Sequence, residues 1–162
     1  EEATDQFQMQ VVGRWVGHDE ITQQAYDELV QKVGPCVIIS HSQSGAFSTQ
    51  AAVNNPELVK AVVTLEPSGG ADATEAQMAA LVAAGTKHVA MWGDNFAGHE
   101  RWGIFRGLVD DYGSRVAAAG GHWANWDLPK MGIPGNSHFP MMDRNSDHIA
   151  NLVQDWLKEN VQ

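Results

Sequence analysis

The sequence feature that most constrains the fold is a serine-centred turn that directly follows a short apolar segment. Residues 36–39 read Cys-Val-Ile-Ile and predict a strand buried on both faces, as is usual in parallel sheets. The turn places Ser42 between the small residues Ser40 and Ser44, and a helix is predicted from Gln43 onward. A sharp strand–turn–helix junction needs small residues at those two positions, and it holds the central hydroxyl clear of the sheet. The segment therefore predicts a nucleophile elbow, with Ser42 as nucleophile and the backbone N–H of Gln43 as oxyanion donor, against the alternative of an ordinary serine-rich turn.

The rest of the chain alternates between predicted strands and predicted helices. Strands are expected at residues 36–39, 60–65, 88–92 and, more weakly, 123–128, and helices at residues 20–33, 43–54, 74–84, 100–119 and 147–157. This alternation indicates an α/β fold, a parallel sheet of about four strands with helices on both faces. We expect residues 1–162 to form part of a single domain, with residues 1–17 unassigned. Within that leading segment Val11, Val12, Trp15 and Val16 could form a strand or a covering segment.

Composition and charge exclude several classes of function. The formal net charge of −10 has the wrong sign for a surface that binds nucleic-acid phosphates. No apolar run approaches the roughly 20 residues that a membrane-spanning helix needs. Cys36 is the only cysteine, so an internal disulfide is excluded. The start at Glu1 lacks a Met, a basic segment and an apolar run, which suits a processed chain rather than an intact signal peptide. We expect neither nucleic acid nor a membrane as partner, and we expect a secreted or periplasmic location.

A serine nucleophile needs a general base, and His138 is the best candidate among the seven histidines. It lies in the predicted loop Gly-Asn-Ser-His-Phe at residues 135–139, after the last strand and before the last helix. Triads with the chain order Ser, acid, His require a histidine there, although a solvated loop histidine is the plainer alternative. His41, beside Ser42, is expected to point elsewhere and to be structural. Because no pair of histidines or cysteines has metal-ligand spacing, no metal site is expected.

The residue pattern leaves two candidates for the acid that orients the histidine. Glu66 follows the second predicted strand, and Asp94 follows the third, in the turn Gly93-Asp94. Both stand at carboxyl ends of strands, where parallel sheets place their sites, and either could equally be a polar residue that opens a loop. The residues alone slightly favour Asp94, since most hydrolases with this order of residues have their acid there.

Three separated segments resemble a small group of bacterial α/β-hydrolase esterases. They are Ser-His-Ser-Gln-Ser-Gly at residues 40–45, Val-x-x-Glu-Pro at residues 63–67, and Gly-Asn-Ser-His-x-x-Met-Met-Asp-Arg-Asn at residues 135–145. The resemblance runs from about Gly34 to the end of the chain. It implies that Ser42 is the nucleophile, that His138 is the base, and that the acid is Glu66 rather than Asp94.

The resemblance further implies a serine esterase, a carboxylic ester hydrolase that forms an acyl-enzyme on a small ester substrate without a metal or an organic cofactor. A lyase or a cofactor-free haloperoxidase on the same fold would keep the triad, and a non-catalytic binding subunit would have lost it. Phe139 and Trp92 are weaker candidates for walls of the substrate pocket, as are Trp102, Trp123 and Trp126, because aromatic residues are as often ordinary core.

The resemblance assigns the chain to the C-terminal half of the hydrolase fold. The predicted strands map onto the second half of a sheet that has about eight strands when complete. Alone, the apolar strand at residues 36–39 would be an open edge that invites aggregation. No Gly-rich stretch before Ser42 supplies the second oxyanion donor. We therefore expect a complementary N-terminal chain that completes the fold as a heterodimer, against the plainer alternative of a truncated chain.

Overall fold

A computed structural model describes residues 2–9, 17–94 and 98–161 of the chain. Val11, Val12, Trp15 and Val16, which the sequence left between strand and covering segment, lie outside these ranges. The helices are α1 (Glu2–Gln8), α2 (Asp19–Val33), α3 (Ser44–Asn54), α4 (Glu75–Ala83), α5 (Glu100–Ala118) and α6 (Ser146–Asn160). The strands are β1 (Cys36–His41), β2 (Val59–Leu65), β3 (Lys87–Trp92) and β4 (His122–Asp127).

The strands form a single parallel sheet in the order β1-β2-β3-β4. Each strand leads through a helix into the next one, so the sheet grows by one strand per crossover. One face of the sheet packs on α2, α3, α4 and α5, and the opposite face packs on α6. The prediction of an α/β fold with a parallel sheet covered on both faces is therefore confirmed, with predicted ends that differ from the observed ones by a few residues.

Local sequence accounts for where several helices begin and end. Thr74 caps α4 in a capping box: its hydroxyl accepts the backbone N–H of Gln77, whose side chain accepts the backbone N–H of Thr74. Gly34 ends α2 at φ 83°, a left-handed conformation that glycine adopts without steric cost, and its N–H donates to the carbonyl of Val30. These signals separate the helices from the strands that follow them.

Residues of β2 alternate between the two cores, because successive side chains of a strand point to opposite faces of the sheet. Val62 packs in the core beneath α3 and α4, whereas Ala61 and Val63 pack in the core beneath α6. Each of these three side chains is fully buried. Because β2 is an interior strand packed on both faces, it supports the neighbouring strand β1, which leads into the predicted elbow.

Strand β1 is an edge of the sheet in the part of the chain that the structure describes. An apolar groove of about 240 Å³ runs along one of its faces, between β1 and the Leu29 and Val33 side chains of α2. A second groove of about 250 Å³ lies on the other face, between Ile39 and the Val153 side chain of α6. The side chain of Ile39, which borders both grooves, is 58% exposed.

The hydrogen-bond ladder of the sheet continues one residue beyond the carboxyl ends of the strands. The N–H of Ser42 donates to the carbonyl of Leu65 at 2.9 Å, and the N–H of Glu66 donates to the carbonyl of Met91 at 2.8 Å. Both residues have a positive φ, 58° for Ser42 and 50° for Glu66, which costs a non-glycine residue about 1 kcal/mol or more. The sheet thereby sets Ser42 and Glu66 side by side at its carboxyl edge, each turned sharply out of its strand.

None of the helices in the described ranges combines the length and the apolar character that crossing a membrane requires.

The buried histidine of β3 makes the fold sensitive to acid. His88 is 1% exposed, and its Nε2 lies 3.1 Å from the hydroxyl of Tyr112 on α5. Burial lowers the pKa of His88 from 6.5 to about 4. Between these two pH values the unfolded chain binds a proton that the folded chain excludes, so the free energy of unfolding falls as the pH decreases.

We expect the His88→Gln variant to lose much of this acid sensitivity. Glutamine does not titrate, and its amide offers the Tyr112 hydroxyl another partner. The contribution of His88 between pH 6.5 and 4 is about 3 kcal/mol in the wild type. Urea unfolding from pH 7 to pH 4 measures it, with His148→Gln, which removes an exposed histidine, as the control. An identical pH dependence in wild type and His88→Gln would contradict the prediction.

Candidate active site

The turn after β1 has the geometry of a nucleophile elbow. Ser42 adopts φ 58° between the end of β1 and the start of α3, and its carbonyl accepts N–H groups from Gly45 and Ser68, each at 3.0 Å. A side chain at Gly45 would collide with Pro67 of the loop after β2, so this position requires glycine. Ser40 is buried, and its hydroxyl lies 2.7 Å from that of Ser48 on α3. Small residues therefore allow β1, α3 and the loop after β2 to approach one another around Ser42.

The side chain of His138 meets that of Ser42. His138 lies in the loop between β4 and α6, and its Nε2 is 2.9 Å from the Ser42 Oγ. The two residues are 96 positions apart in sequence, so the contact exists only in the folded chain. With the hydroxyl as donor and Nε2 as acceptor, the imidazole is placed to remove the Ser42 proton.

Glu66 lies on the other side of the same ring. Its Oε2 is 3.5 Å from the His138 Nδ1, which is an ion-pair distance and longer than an ordinary hydrogen bond. Its Oε1 accepts the backbone N–H of Gly93. Catalytic hydrogen bonds are often long in the absence of substrate and tighten when substrate binds. Ser42, His138 and Glu66 thus form a continuous series of polar groups in the order that a triad requires.

Asp94, the alternative acid, does not contact the imidazole. It binds the backbone of residues 133–139, the loop that carries His138 and is called the histidine loop below. Its Oδ2 accepts the N–H groups of Gly135 at 2.9 Å and Asn136 at 2.7 Å. Its own N–H donates to the carbonyl of Asn136 at 2.9 Å. The neighbouring Gly93 lets this loop come close, since an added Cβ there would lie 2.6 Å from the carbonyl oxygen of Asn136. Asp94 therefore supports the loop that carries His138.

A second carboxylate that the sequence reasoning did not single out supports the same loop. Asp143 accepts the N–H of Ser137 at 2.6 Å and the hydroxyl of Ser137 at 2.9 Å. Asp143 belongs to the third segment of the resemblance, five residues after His138, which was the available signal for it. Carboxylates on both sides of the loop thus fix the residues that precede His138.

His41 was expected to point away from the site, and this expectation is wrong. Its Nε2 lies 2.6 Å from the backbone carbonyl oxygen of His138, and the centroids of the two rings are 4.6 Å apart. The direction follows from the elbow: His41 ends β1 at the sheet edge that the histidine loop covers. Sequence spacing gave no signal for this contact, because the loop lies 97 residues away.

A pocket of about 580 Å³ opens beside Ser42 and His138. Gln43, the N-cap residue of α3, lines it next to Ser42. Its apolar walls come from α3 and α5 and comprise Ala46, Phe47, Trp102 and Phe105. The indole of Trp102 also packs on the His138 ring, with the centroids 4.5 Å apart. The pocket therefore joins an aromatic surface directly to the polar series.

The other aromatic candidates for pocket walls are placed differently. Trp92 is fully buried and does not face the pocket; the guanidinium of Arg106 covers its ring at 4.7 Å. Trp123 and Trp126 pack against the hydrophobic cores. Phe139 is half-exposed, with its ring centroid 5.1 Å from those of His138 and His41. Among all the aromatic residues that the sequence offered as pocket walls, Trp102 is the one that both lines the pocket and packs on His138.

Burial shifts the pKa values of His138, His41 and Glu66 toward the neutral forms of these side chains. It lowers the pKa of His138 and also that of His41. It raises the pKa of Glu66, an effect that the N–H of Gly93 opposes by stabilising the carboxylate. A lowered pKa keeps His138 unprotonated near neutral pH, as a general base must be.

Across residues 2–9, 17–94 and 98–161, no group of three or more His, Cys, Asp or Glu side chains is arranged to hold a metal ion.

The chain is similar to an esterase and to a probable lipase, although no family model matches it. A solved structure described as a novel bacterial esterase superimposes with a TM-score of 0.82 and 29% sequence identity, over 99% of this chain. A probable secreted lipase, phiG, of a fungal species (strain ATCC 74256) is 35% identical over 51 residues, which is 32% of this chain.

The match to both proteins is partial on their side. This chain spans 50% of the length of the bacterial esterase and 14% of the length of the fungal lipase. The four-stranded parallel sheet, the elbow at its carboxyl edge and the likeness to the bacterial esterase together fit an α/β-hydrolase fold, of which this chain corresponds to about half.

Proposed function

We propose that this chain carries the catalytic residues of a serine esterase that hydrolyses carboxylic esters. Ser42 is the nucleophile, His138 the general base and acid, and Glu66 the carboxylate that orients the imidazole. The observation that carries the proposal is the 2.9 Å contact between the Ser42 Oγ and the His138 Nε2 at an elbow of positive φ. The likeness to a bacterial esterase supports the same reaction class.

The reaction proceeds through an acyl-enzyme. The Ser42 Oγ attacks the ester carbonyl carbon as its proton passes to the His138 Nε2, and the carbonyl oxygen becomes an oxyanion. The backbone N–H of Gln43, directly after the nucleophile, stabilises that oxyanion. Collapse of the intermediate expels the alcohol, which takes the proton from Nε2. Water then attacks the acyl-enzyme with His138 as base, and the carboxylic acid leaves as Ser42 recovers its proton.

The carboxylate of Glu66 acts on the ring and not on the substrate. It lies beside Nδ1 and favours the tautomer in which Nδ1 is protonated and Nε2 is free to accept a proton. When Nε2 takes the Ser42 proton, the nearby negative charge stabilises the imidazolium. Because Glu66 is 4% exposed, water screens this interaction only weakly. The apolar walls formed by Phe47, Trp102 and Phe105 support a substrate whose acyl or alcohol group is apolar.

We also propose that the complementary N-terminal part of the fold, expected as a separate chain, pairs with β1 and supplies the second oxyanion donor. The apolar grooves on both faces of β1 support this, as they leave a strand with apolar side chains uncovered. So does the fraction of the bacterial esterase that the chain spans, 50%. A secreted location remains part of the proposal, supported by the name of the fungal relative.

Replacing Ser42 with Ala should abolish hydrolysis of a short-chain nitrophenyl ester. We expect a loss of at least about 10⁴-fold in kcat, because no other hydroxyl takes the place of the nucleophile. Covalent labelling by a fluorophosphonate, followed by mass spectrometry, should locate the label on Ser42. Ser44→Ala is the matched control, since it removes the neighbouring hydroxyl and keeps the small residue that the turn needs. Full activity in a folded Ser42→Ala variant would exclude the mechanism.

Replacing Glu66 with Gln should separate activity from stability. We expect kcat to fall by about 10⁴-fold, as for loss of the carboxylate in a comparable triad. The free energy of unfolding at pH 7 should stay the same or rise, because burial disfavours the ionised carboxyl of Glu66. Asp94→Asn, which keeps an acceptor for the loop, should lower kcat far less. If Asp94→Asn is the more damaging change, Asp94 and not Glu66 is the acid.

Replacing Ile39 with Asp tests whether β1 is covered in the working enzyme. Its side chain is 58% exposed, so the variant should lower the stability of this chain alone by only about 1 kcal/mol, the range of strand propensities. Burying the new carboxylate against a complementary chain should instead weaken that association and reduce activity, measured by size-exclusion chromatography and ester hydrolysis. Leu108→Asp, at a 53% exposed position on α5, is the control. A fully active 17.6 kDa monomer would rule the complementary chain out.

A further inference from the structure

We propose that His41 is a positioning residue that fixes the catalytic His138 through the backbone of the histidine loop. The inference rests on the proposed esterase mechanism and assigns a role to a residue outside the triad. Its basis is the hydrogen bond between the His41 Nε2 and the carbonyl oxygen of His138, at 2.6 Å.

The chemistry of this contact defines the state of His41. A carbonyl oxygen can only accept a hydrogen bond, so Nε2 of His41 carries the proton. The bond does not require a charge, since the neutral Nε2–H tautomer can donate it and so can the imidazolium. Burial lowers the pKa of His41, which favours the neutral ring beside a histidine that must itself become protonated in the reaction.

The histidine loop needs such an anchor because residues 133–139 form neither helix nor strand. Asp94 and Asp143 bind backbone groups of Gly135, Asn136 and Ser137, which precede the catalytic histidine. The hydrogen bond from His41 holds the peptide carbonyl of His138 itself. The contact to the backbone of the catalytic histidine itself therefore comes from β1, the strand that leads directly to the nucleophile.

The position of His41 in the chain makes this support effective. His41 is the last residue of β1 and is covalently joined to Ser42, so one short segment holds both reactive groups. A displacement of β1 moves the anchor and the nucleophile together, which preserves the 2.9 Å distance between Ser42 Oγ and His138 Nε2. The His41 ring also packs on the rings of His138 and Phe139, with centroids 4.6 and 5.1 Å away.

Variants of His41 can distinguish the effect of its hydrogen bond to His138 from the effect of its ring packing. The Nε2 of a glutamine occupies nearly the same place as the Nε2 of a histidine, so His41→Gln keeps a donor to the His138 carbonyl. His41→Asn offers an amide that is one carbon shorter and ends at the place of Nδ1, where it cannot reach. His41→Phe keeps an aromatic ring and loses the donor.

The experiment compares these variants in nitrophenyl ester hydrolysis, with the Ser42→Ala rate subtracted and thermal unfolding measured alongside. A misplacement of about 1 Å can cost about 10²-fold in rate, so we expect His41→Asn and His41→Phe to lower kcat about 10- to 100-fold. KM should change by less than about two-fold, because the His41 contact acts on the imidazole and not on bound substrate. His41→Gln should recover most of the lost kcat.

The outcomes decide the proposal in each case. Wild-type kcat in folded His41→Asn would overturn it, and so would a His41→Gln variant as slow as His41→Asn. If the wild type shows no Ser42-dependent hydrolysis, the proposed function fails, and amide hydrogen exchange in residues 135–139 tests the positioning alone. Faster exchange in the Asn and Phe variants than in the Gln variant would support it, and equal exchange in all of them would overturn it.

Discussion

The site depends on the continuation of the parallel hydrogen-bond ladder one residue past the ends of β1 and β2. The bonds from Ser42 to Leu65 and from Glu66 to Met91 hold two residues of positive φ in register with neighbouring strands. A left-handed residue at the end of a free strand would relax, and its side chain would lose a defined direction. Here the sheet offsets the strain, and the hydroxyl and the carboxylate are aimed at the space between them before any substrate arrives.

The loop that carries His138 has no regular secondary structure, and it is held instead by contacts from three directions. Asp94 reaches it from the end of β3, Asp143 from the turn before α6, and His41 from the end of β1. Glycine at position 93 allows the loop to lie close to the end of β3, where an added Cβ would collide with the backbone of Asn136. Preorganisation of this kind lowers the cost of placing the imidazole, because the loop gives up its conformational freedom on folding and not during the reaction.

Burial affects the stability of this chain in two opposite ways. The apolar side chains of β2 and β3 stabilise the fold by packing in the cores on the two sides of the sheet. By contrast, burial disfavours the charged forms of the Glu66 carboxyl, the His88 imidazole and the partly exposed His138 imidazole. For the triad residues this cost is part of the proposed chemistry, as a weakly screened carboxylate acts more strongly on a neighbouring imidazolium. At β1 the opposite arrangement occurs: the described residues leave apolar side chains of this strand in contact with solvent.

The sequence by itself determined the alternation of strands and helices, the parallel sheet and the serine-centred turn, because period, glycine punctuation and small residues around a turn are local properties. It placed Glu66 and Asp94 at strand ends and slightly favoured Asp94; the choice of Glu66 came from the resemblance. Only the tertiary structure decided which carboxylate lies beside the His138 ring, that His41 turns toward the histidine loop, and that Trp92 is enclosed. These outcomes depend on contacts between residues tens of positions apart, and such contacts follow from strand register and loop packing, which no local pattern records.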